Sequence, residues 1–313
     1  MNKTDSIFVA GHHGLVGSAI IRCLQRHGFD NLLTRTRAEL DLTNQAAVNE
    51  FFDIERPQYV FLAAARVGGI YANSTYPADF IRENLQIQTN IIDAAWKSGV
   101  SKLLFMGSSC TYPKLAPQPV KEEALFTGLP EPTSQWYAVA KIAGIKMCQA
   151  YRQQYAFNAI NVMPTNLYGP GDNFHLENAH VIPALMRRFH TAKEHSDPTV
   201  SIWGTGKPMR EFLYVDDLAD ACLFLMQHYN SEEIINVGVG KDITITQLVS
   251  LLKDVVGYSG QVVFDSSKPD GAMKKLLDVS RINSMGWQSK TPLEDGLRET
   301  YNWFLKYKDG GIG

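Results

Sequence analysis

No stretch of this sequence carries the roughly 18 consecutive apolar residues that a membrane-crossing helix needs. The apolar run nearest the N-terminus, residues 7–10, stops at Gly11 and is too short for a secretory signal core. Cysteine is scarce, with Cys23, Cys110, Cys148 and Cys222 the only four in 313 residues. They form no C-x-x-C pair, so neither a disulfide framework nor a zinc site is expected, and the reading is a reduced, cytoplasmic protein that engages no membrane. Charge of one sign is not in excess either. Thirty Lys and Arg against 32 Asp and Glu leave a net charge of -2, which argues against nucleic acid as a partner. There is no internal repeat and no low-complexity linker. With 45% hydrophobic and 20% charged residues, the chain reads as globular, either one large domain or two.

Short apolar runs alternate with longer amphipathic stretches through the first half. Residues 7–10, 31–34, 59–63, 102–106 and 159–163 read as strands. Residues 17–27, 45–54, 84–97 and 137–155 read as helices. That alternation predicts βαβ units around a parallel sheet. Past residue 165 the texture changes. Residues 166–173 (NLYGPGDN) read as a loop, 181–188, 215–226, 246–256 and 292–307 as helices, and 199–203 and 233–237 as strands. Residues 310–313 are expected to fray. The fold class predicted is a doubly wound, Rossmann-type parallel sheet with a smaller C-terminal α/β substrate domain. The first domain takes residues 1–165 and about 213–240, the second 166–212 and 241–313.

Gly11, Gly14 and Gly17 lie between the first strand and the first helix, in the segment Gly11-His12-His13-Gly14-Leu15-Val16-Gly17. The spacing is G-x-x-G-x-x-G. It meets the demands of a dinucleotide loop: a tight turn, backbone close to a pyrophosphate, a helix packed on the sheet, and free N–H groups aimed at phosphate. After the second strand come Arg35 and Arg37, with no acid before Glu39. A guanidinium suits a 2′-phosphate where an acid would suit a free 2′-hydroxyl. The expected cofactor is therefore NADP(H), with Arg37 the preferred contact and His13 a further candidate.

Ser108 follows the fourth strand in GSSCTYP, and Tyr137 and Lys141 stand four apart, on one face of the long helix. A free tyrosine titrates near 10 and a neighbouring ammonium is expected to lower that value. Ser108 (or Ser109) would hydrogen-bond a carbonyl oxygen to which Tyr137 passes a proton. Y-x-x-x-K alone is structural more often than functional; the glycine loop and the serine upstream reverse that reading here.

The segments AGHHGLVGSAI (10–20), LAAARVGGI (62–70), GSSCTYP (107–113), YAVAKIAG (137–144), MPTNLYGPGDNF (163–174), HVIPALMRR (180–188), WGTGKPMREFLYVDDLA (203–219) and KPDGAMKKLLDVSR (268–281) together resemble the extended short-chain dehydrogenase/reductase family nearly end to end. The match is nearest to its branch acting on GDP-linked 4-keto-6-deoxy sugars. His13, where the family often has Arg, and Arg66, where Lys is frequent, are departures. The resemblance implies a GDP-sugar substrate epimerised at carbons 3 and 5 and then reduced at carbon 4, with Cys110 as base and His180 as acid. It also implies cofactor contacts at His12, Asp41, Leu42, Ala64, Lys141, Pro164, Thr165, Asn166, Leu167 and His180. Arg188, Trp203, Arg210 and Asp270 become substrate contacts, with Asp278 an alternative to Asp270. A homodimer is implied as well, through helices 84–97 and 137–155, whose Ile91, Ile92, Ala94, Ala95, Ile142, Ile145 and Met147 would present a second apolar face. His27, His190, His195 and His228 read as exposed. Two rivals remain: another nucleotide-sugar epimerase or dehydratase of this fold, and a non-enzymatic NADP-binding sensor.

Overall fold

The computed structural model describes residues 1–175, 179–268 and 270–308. In chain order the elements are β1 (Ile7–Ala10), α1 (Leu15–Arg26), β2 (Leu32–Leu33), α2 (Gln45–Glu55), β3 (Tyr59–Leu62), α3 (Ile70–Thr75), α4 (Pro77–Lys97), β4 (Lys102–Met106), α5 (Gln135–Tyr155) and β5 (Ala159–Pro164). There follow β6 (Asn166–Tyr168), α6 (Val181–Glu194), β7 (Thr199–Trp203), β8 (Met209–Arg210), β9 (Phe212–Tyr214), α7 (Val215–His228), β10 (Ile234–Val237), β11 (Ile243–Thr244), α8 (Ile245–Val256), β12 (Gln261–Asp265), β13 (Lys274–Lys275), α9 (Ser280–Ser284) and α10 (Leu293–Tyr307).

Six strands make one parallel sheet in the order β10-β5-β4-β3-β1-β2. β1 and β4 are buried at every position, as continuous apolar strands covered on both faces must be. Helices α1 and α7 pack together on one face, and α2, α4 and α5 on the other. The chain runs from β1 outward to β2 and returns to β3 on the other side of β1. Open sheets bind ligands at the carboxyl ends of the strands at such a switch, and the Gly11 loop and the 63–66 segment both leave there.

Two separate apolar cores form. The first gathers the sheet, α7 and β10, and also Leu277, Val279, Ile282 and Trp287. Tyr168, Phe174, Phe189, Tyr214, Leu252, Leu297 and Phe304 belong to the second, built from α6, α8 and α10 around short strands. The joint runs through residues 165–168 and 211–214, where β6 pairs with β9 in parallel.

Several readings need correction. The stretch 166–173 opens with a strand; three residues are too few to show an alternation. β12, an edge strand beside β7, was not expected from QVVFD. α6 extends to Glu194. His190 is buried: its Nδ1 lies 2.9 Å from the Tyr301 hydroxyl and its Nε2 3.0 Å from Glu194. Ile91, Ile92, Ala94, Ala95 and Ile145 face the chain's own core, so they supply no second apolar face. Residues 310–313, expected to fray, lie outside the described residues, as does Pro269 of the 268–281 segment.

Candidate active site

The glycine loop is shaped by contacts a Cβ would break. Gly11 has φ +86, and a Cβ there would stand 2.7 Å from the Ala64 backbone. On Gly17 it would collide with the Gly11 carbonyl and lie 2.8 Å from the His12 Cα. Gly14 differs, because the nearest protein atom to a Cβ there is 3.5 Å away. The fold does not require glycine at that position, which is the N-cap of α1. This helix has no side-chain cap and no acid in its first turn, so Leu15 and Val16 open an N-terminus ready for an anion. The His12 and His13 rings meet tilted, with centroids 4.0 Å apart and planes at 49°, and His12 is held below its ordinary pKa by burial and then by His13.

Arg35 is committed to the protein. It pairs with Glu55, donates to the Thr34 carbonyl at 2.8 Å and lies over the Phe51 ring. The Arg37 side chain is 75% exposed, with only a 3.9 Å approach to Glu83, and is the arginine free to meet a phosphate. Asp41 accepts from the Thr43 amide and hydroxyl, which hold its carboxyl below the usual range. The Leu42 carbonyl accepts from Asn90. Ala64 packs on Gly11. Pro164 ends β5, the Thr165 amide donates to the Val237 carbonyl at 3.0 Å, and the Asn166 side chain donates to the Glu211 carbonyl at 2.8 Å, with Leu167 following in β6. These sites ring the carboxyl ends of β1, β3 and β5.

Ser108 follows β4 and caps a single 3-10 turn, Ser109–Thr111, accepting from the Cys110 amide at 3.2 Å. Gly107 permits this because β5 passes close by, with Val162 O at 3.0 Å from where a Cβ would be. The Ser108 hydroxyl also stands beside the Tyr137 hydroxyl, where it favours the ionised phenol. Lys141 is buried; its Nζ donates to the Met106 carbonyl at 2.8 Å and lies 5.8 Å from the Tyr137 ring centre. Burial lowers the Lys141 pKa to about 8. Contrary to the expectation from sequence, Tyr137 is pushed up, by burial first and by Cys110 second, with only the Ser108 hydroxyl opposing. Desolvation outweighs the ammonium, which spends its charge on the Met106 carbonyl. The result is a phenol that keeps its proton at neutral pH, the form a proton donor requires.

Cys110 is the one partly exposed cysteine; Cys23, Cys148 and Cys222 are buried. Beside it, a cavity of about 30 Å³ is lined by Ser109, Tyr112, Thr165, Ala272, Lys275 and Leu277 among others. His180 is the N-cap of α6. It is exposed, yet the surrounding protein desolvates the imidazole enough to hold its pKa below the ordinary value. Cys110 follows β4 on the central sheet and His180 opens α6 on the second core, with no hydrogen bond between them among the described residues.

On the second core, Trp203 is 69% exposed with the Lys268 ammonium 5.6 Å from its ring centre; it is no core tryptophan. Exposed Arg188, on α6, donates to the Ser201 carbonyl of β7 at 2.8 Å. Arg210 is half-buried and donates to its neighbour's carbonyl at 2.7 Å; desolvation lowers its pKa, opposed by Asp270. Asp270 accepts from the Thr205 amide and hydroxyl at 2.8 and 2.7 Å. Asp278 caps the turn into α9 through the Ser280 amide.

Sequence reasoning passed over two residues. Glu211 is fully buried and accepts from the amides of Val239 and Gly240 at 2.7 Å and of Leu277 at 3.0 Å. Its signal was an acid inside the otherwise apolar FLY strand region. Lys275, within 268–281, stands at Cys110.

A dinucleotide loop, a Ser-Tyr-Lys set on a doubly wound sheet and a separate second core define a nucleotide-sugar epimerase or reductase type of fold. The model of the NAD dependent epimerase/dehydratase family matches residues 7–238, and the chain belongs to that family. Within it, the chain is 61% identical over 305 residues to GDP-L-fucose synthase 1 of Arabidopsis thaliana, covering 97% of this chain and 94% of that one. It is 55% identical over 312 residues to GDP-L-fucose synthase of Escherichia coli (strain K12), covering 97% of each. Among solved structures, the GDP-L-fucose synthetase of Naegleria fowleri bound to NADP superposes with a TM-score of 0.93 at 30% identity, covering 100% of this chain and 98% of that one.

Proposed function

We propose that this chain converts GDP-4-keto-6-deoxy-D-mannose to GDP-L-fucose, epimerising carbons 3 and 5 and then reducing the C4 ketone, with NADP(H) as cofactor. The observation that carries the reading is the gathering of Ser108, Tyr137 and Lys141 at the end of β4 with a partly exposed Cys110 two residues beyond that serine. High identity to GDP-L-fucose synthases over nearly the whole chain supports it independently.

In this reading residues 1–165 with about 213–240 hold the cofactor, and residues 166–212 with 241–313 hold the sugar nucleotide. The uncapped start of α1 with Gly14 would take the pyrophosphate, and Arg37 the 2′-phosphate. NADPH, when bound, supplies the hydride. Ser108 and Tyr137 bind the C4 oxygen, whose carbonyl acidifies the protons on carbons 3 and 5. Cys110 removes each proton, and the electron pair moves onto the C4 oxygen. His180 returns a proton on the opposite face. In the reduction Tyr137 gives its proton to the C4 oxygen, and Lys141 steadies the phenolate left behind. Arg188 and Arg210 suit the diphosphate, since a guanidinium fork matches its oxygens, and Trp203 offers a face to guanine or ribose. A cytoplasmic homodimer is part of the proposal; exposed Trp136 and Val139 on α5 supply apolar surface for pairing.

The test is to mix the protein with NADPH and GDP-4-keto-6-deoxy-D-mannose, follow the NADPH absorbance and identify the sugar. NADPH loss with GDP-L-fucose formed is the expected result. Tight NADPH binding with no consumption would remove the substrate assignment and leave the cofactor reading.

A further inference from the structure

Lys275 lies in β13, far in sequence from the proposed catalytic residues. Its Nζ is 4.0 Å from the Cys110 Sγ. Among the described residues it has no carboxylate within ion-pair distance, although the adjacent Lys274 pairs with Asp242 at 3.5 Å. The lysine is carried by rigid backbone. Lys275 pairs in register with Arg210, and its carbonyl accepts from the Glu211 amide at 3.2 Å. The next residue, Leu276, is held from the other side: its amide donates to the Gln118 side chain at 2.8 Å and its carbonyl accepts from the Val120 amide at 2.8 Å. Leu277 is then fixed to the Glu211 carboxylate. A half-buried cation with no acid to neutralise it is thus anchored beside the one partly exposed thiol.

Resting on the reading above, we propose that Lys275 is the positioning residue for the epimerisation base, holding Cys110 as the thiolate that abstracts the protons on carbons 3 and 5. The thiolate, not the thiol, is the active form of a cysteine, and a lysine beside it favours that form. Tyr137, which also faces this sulfur, holds a phenol and supplies no positive charge. In each epimerisation the thiolate takes a proton from carbon, the enolate takes one from the acid on the other face, the thiol then releases its proton to water, and the acid takes one back from water. Charge at the base is restored each time, and Lys275 is its counter-ion at the start and end of the cycle.

The test compares wild type, Lys275→Met and Lys275→Arg in deuterated solvent with GDP-4-keto-6-deoxy-D-mannose, reading deuterium at carbons 3 and 5 by NMR. At neutral pH, Lys275→Met should slow exchange roughly 10- to 30-fold, the ratio in thiolate fraction between a cysteine beside a cation and an ordinary one. KM should stay near the wild-type value, NADPH binding should persist, and Lys275→Arg should recover most of the rate. A variant with raised KM and unchanged kcat would overturn the proposal and assign Lys275 to the diphosphate. A second measurement needs no variant: in wild type, iodoacetamide should alkylate Cys110 faster than free cysteine at pH 7, and slower alkylation would also overturn it. If wild type itself gives no exchange and no NADPH consumption while Cys110 still alkylates rapidly, the substrate reading fails and the lysine–thiol pairing stands.

Discussion

Gly14 and Gly17 are three residues apart, and only one is demanded by the fold. A methyl group on Gly17 would enter the Gly11 carbonyl, so Gly17→Ala should cost about 1–3 kcal/mol of stability, as overpacking does, and distort the loop. A methyl on Gly14 meets nothing closer than 3.5 Å. Gly14→Ala should hold stability within about 0.5 kcal/mol and weaken NADPH binding about tenfold or more, equivalent to about 1.4 kcal/mol. Thermal denaturation and a fluorescence titration separate the two. The pH dependence belongs to Lys141, whose pKa burial lowers to about 8. Below that value it is an ammonium and can steady the phenolate that Tyr137 leaves; above it that support is lost. Between about 8 and the ordinary lysine value of 10.5 the unfolded chain binds more protons than the folded one, so this lysine's contribution to stability rises with pH. NADPH oxidation should therefore decline as pH passes about 8, with no loss of stability from this group; a melting curve beside the rate profile distinguishes that from unfolding.

Short elements set the geometry between the two cores. Glu211 stands between β8 and β9 and takes three backbone amides, two after β10 and one after β13. Through β13 it also fixes the position of Lys275. Glu211→Ala would leave three amides without that acceptor and should lower stability by about 3 kcal/mol or more, measurable by chemical denaturation. Elements of this kind were the least legible. β1, β3, β4 and β5 announce themselves as apolar runs, and α8 carries a capping box between Thr244 and Gln247. β6 and β9 are three residues each, below the length at which alternation shows, and exist because they pair with each other. His190 was misread for a related reason: its polar neighbours in sequence are not its neighbours in space, where Tyr301 and Phe304 pack on it.

At the scale of the whole molecule, the sheet order brings the Gly11 loop, the Ser108 turn and the segment after β5 to one edge, and the second core closes over that edge through residues 165–168 and 211–214. The glycine loop, Ser108, Tyr137 and Lys141 were legible because their spacing follows strands and helices that can be read locally. The protonation of Tyr137 and the approach of Lys275 to Cys110 were not, because desolvation and contacts across 165 residues of sequence leave no local pattern. The central claim is that the base that takes protons from carbons 3 and 5 and the group that gives a proton to the C4 oxygen are different residues of one site. Tyr137→Phe, given GDP-4-keto-6-deoxy-D-mannose and NADPH in deuterated solvent, tests this directly. Deuterium should still enter carbons 3 and 5, while NADPH oxidation should fall by roughly 10²–10⁴, the loss expected for a missing proton donor. Exchange abolished together with reduction, or NADPH oxidised at the wild-type rate, would contradict it.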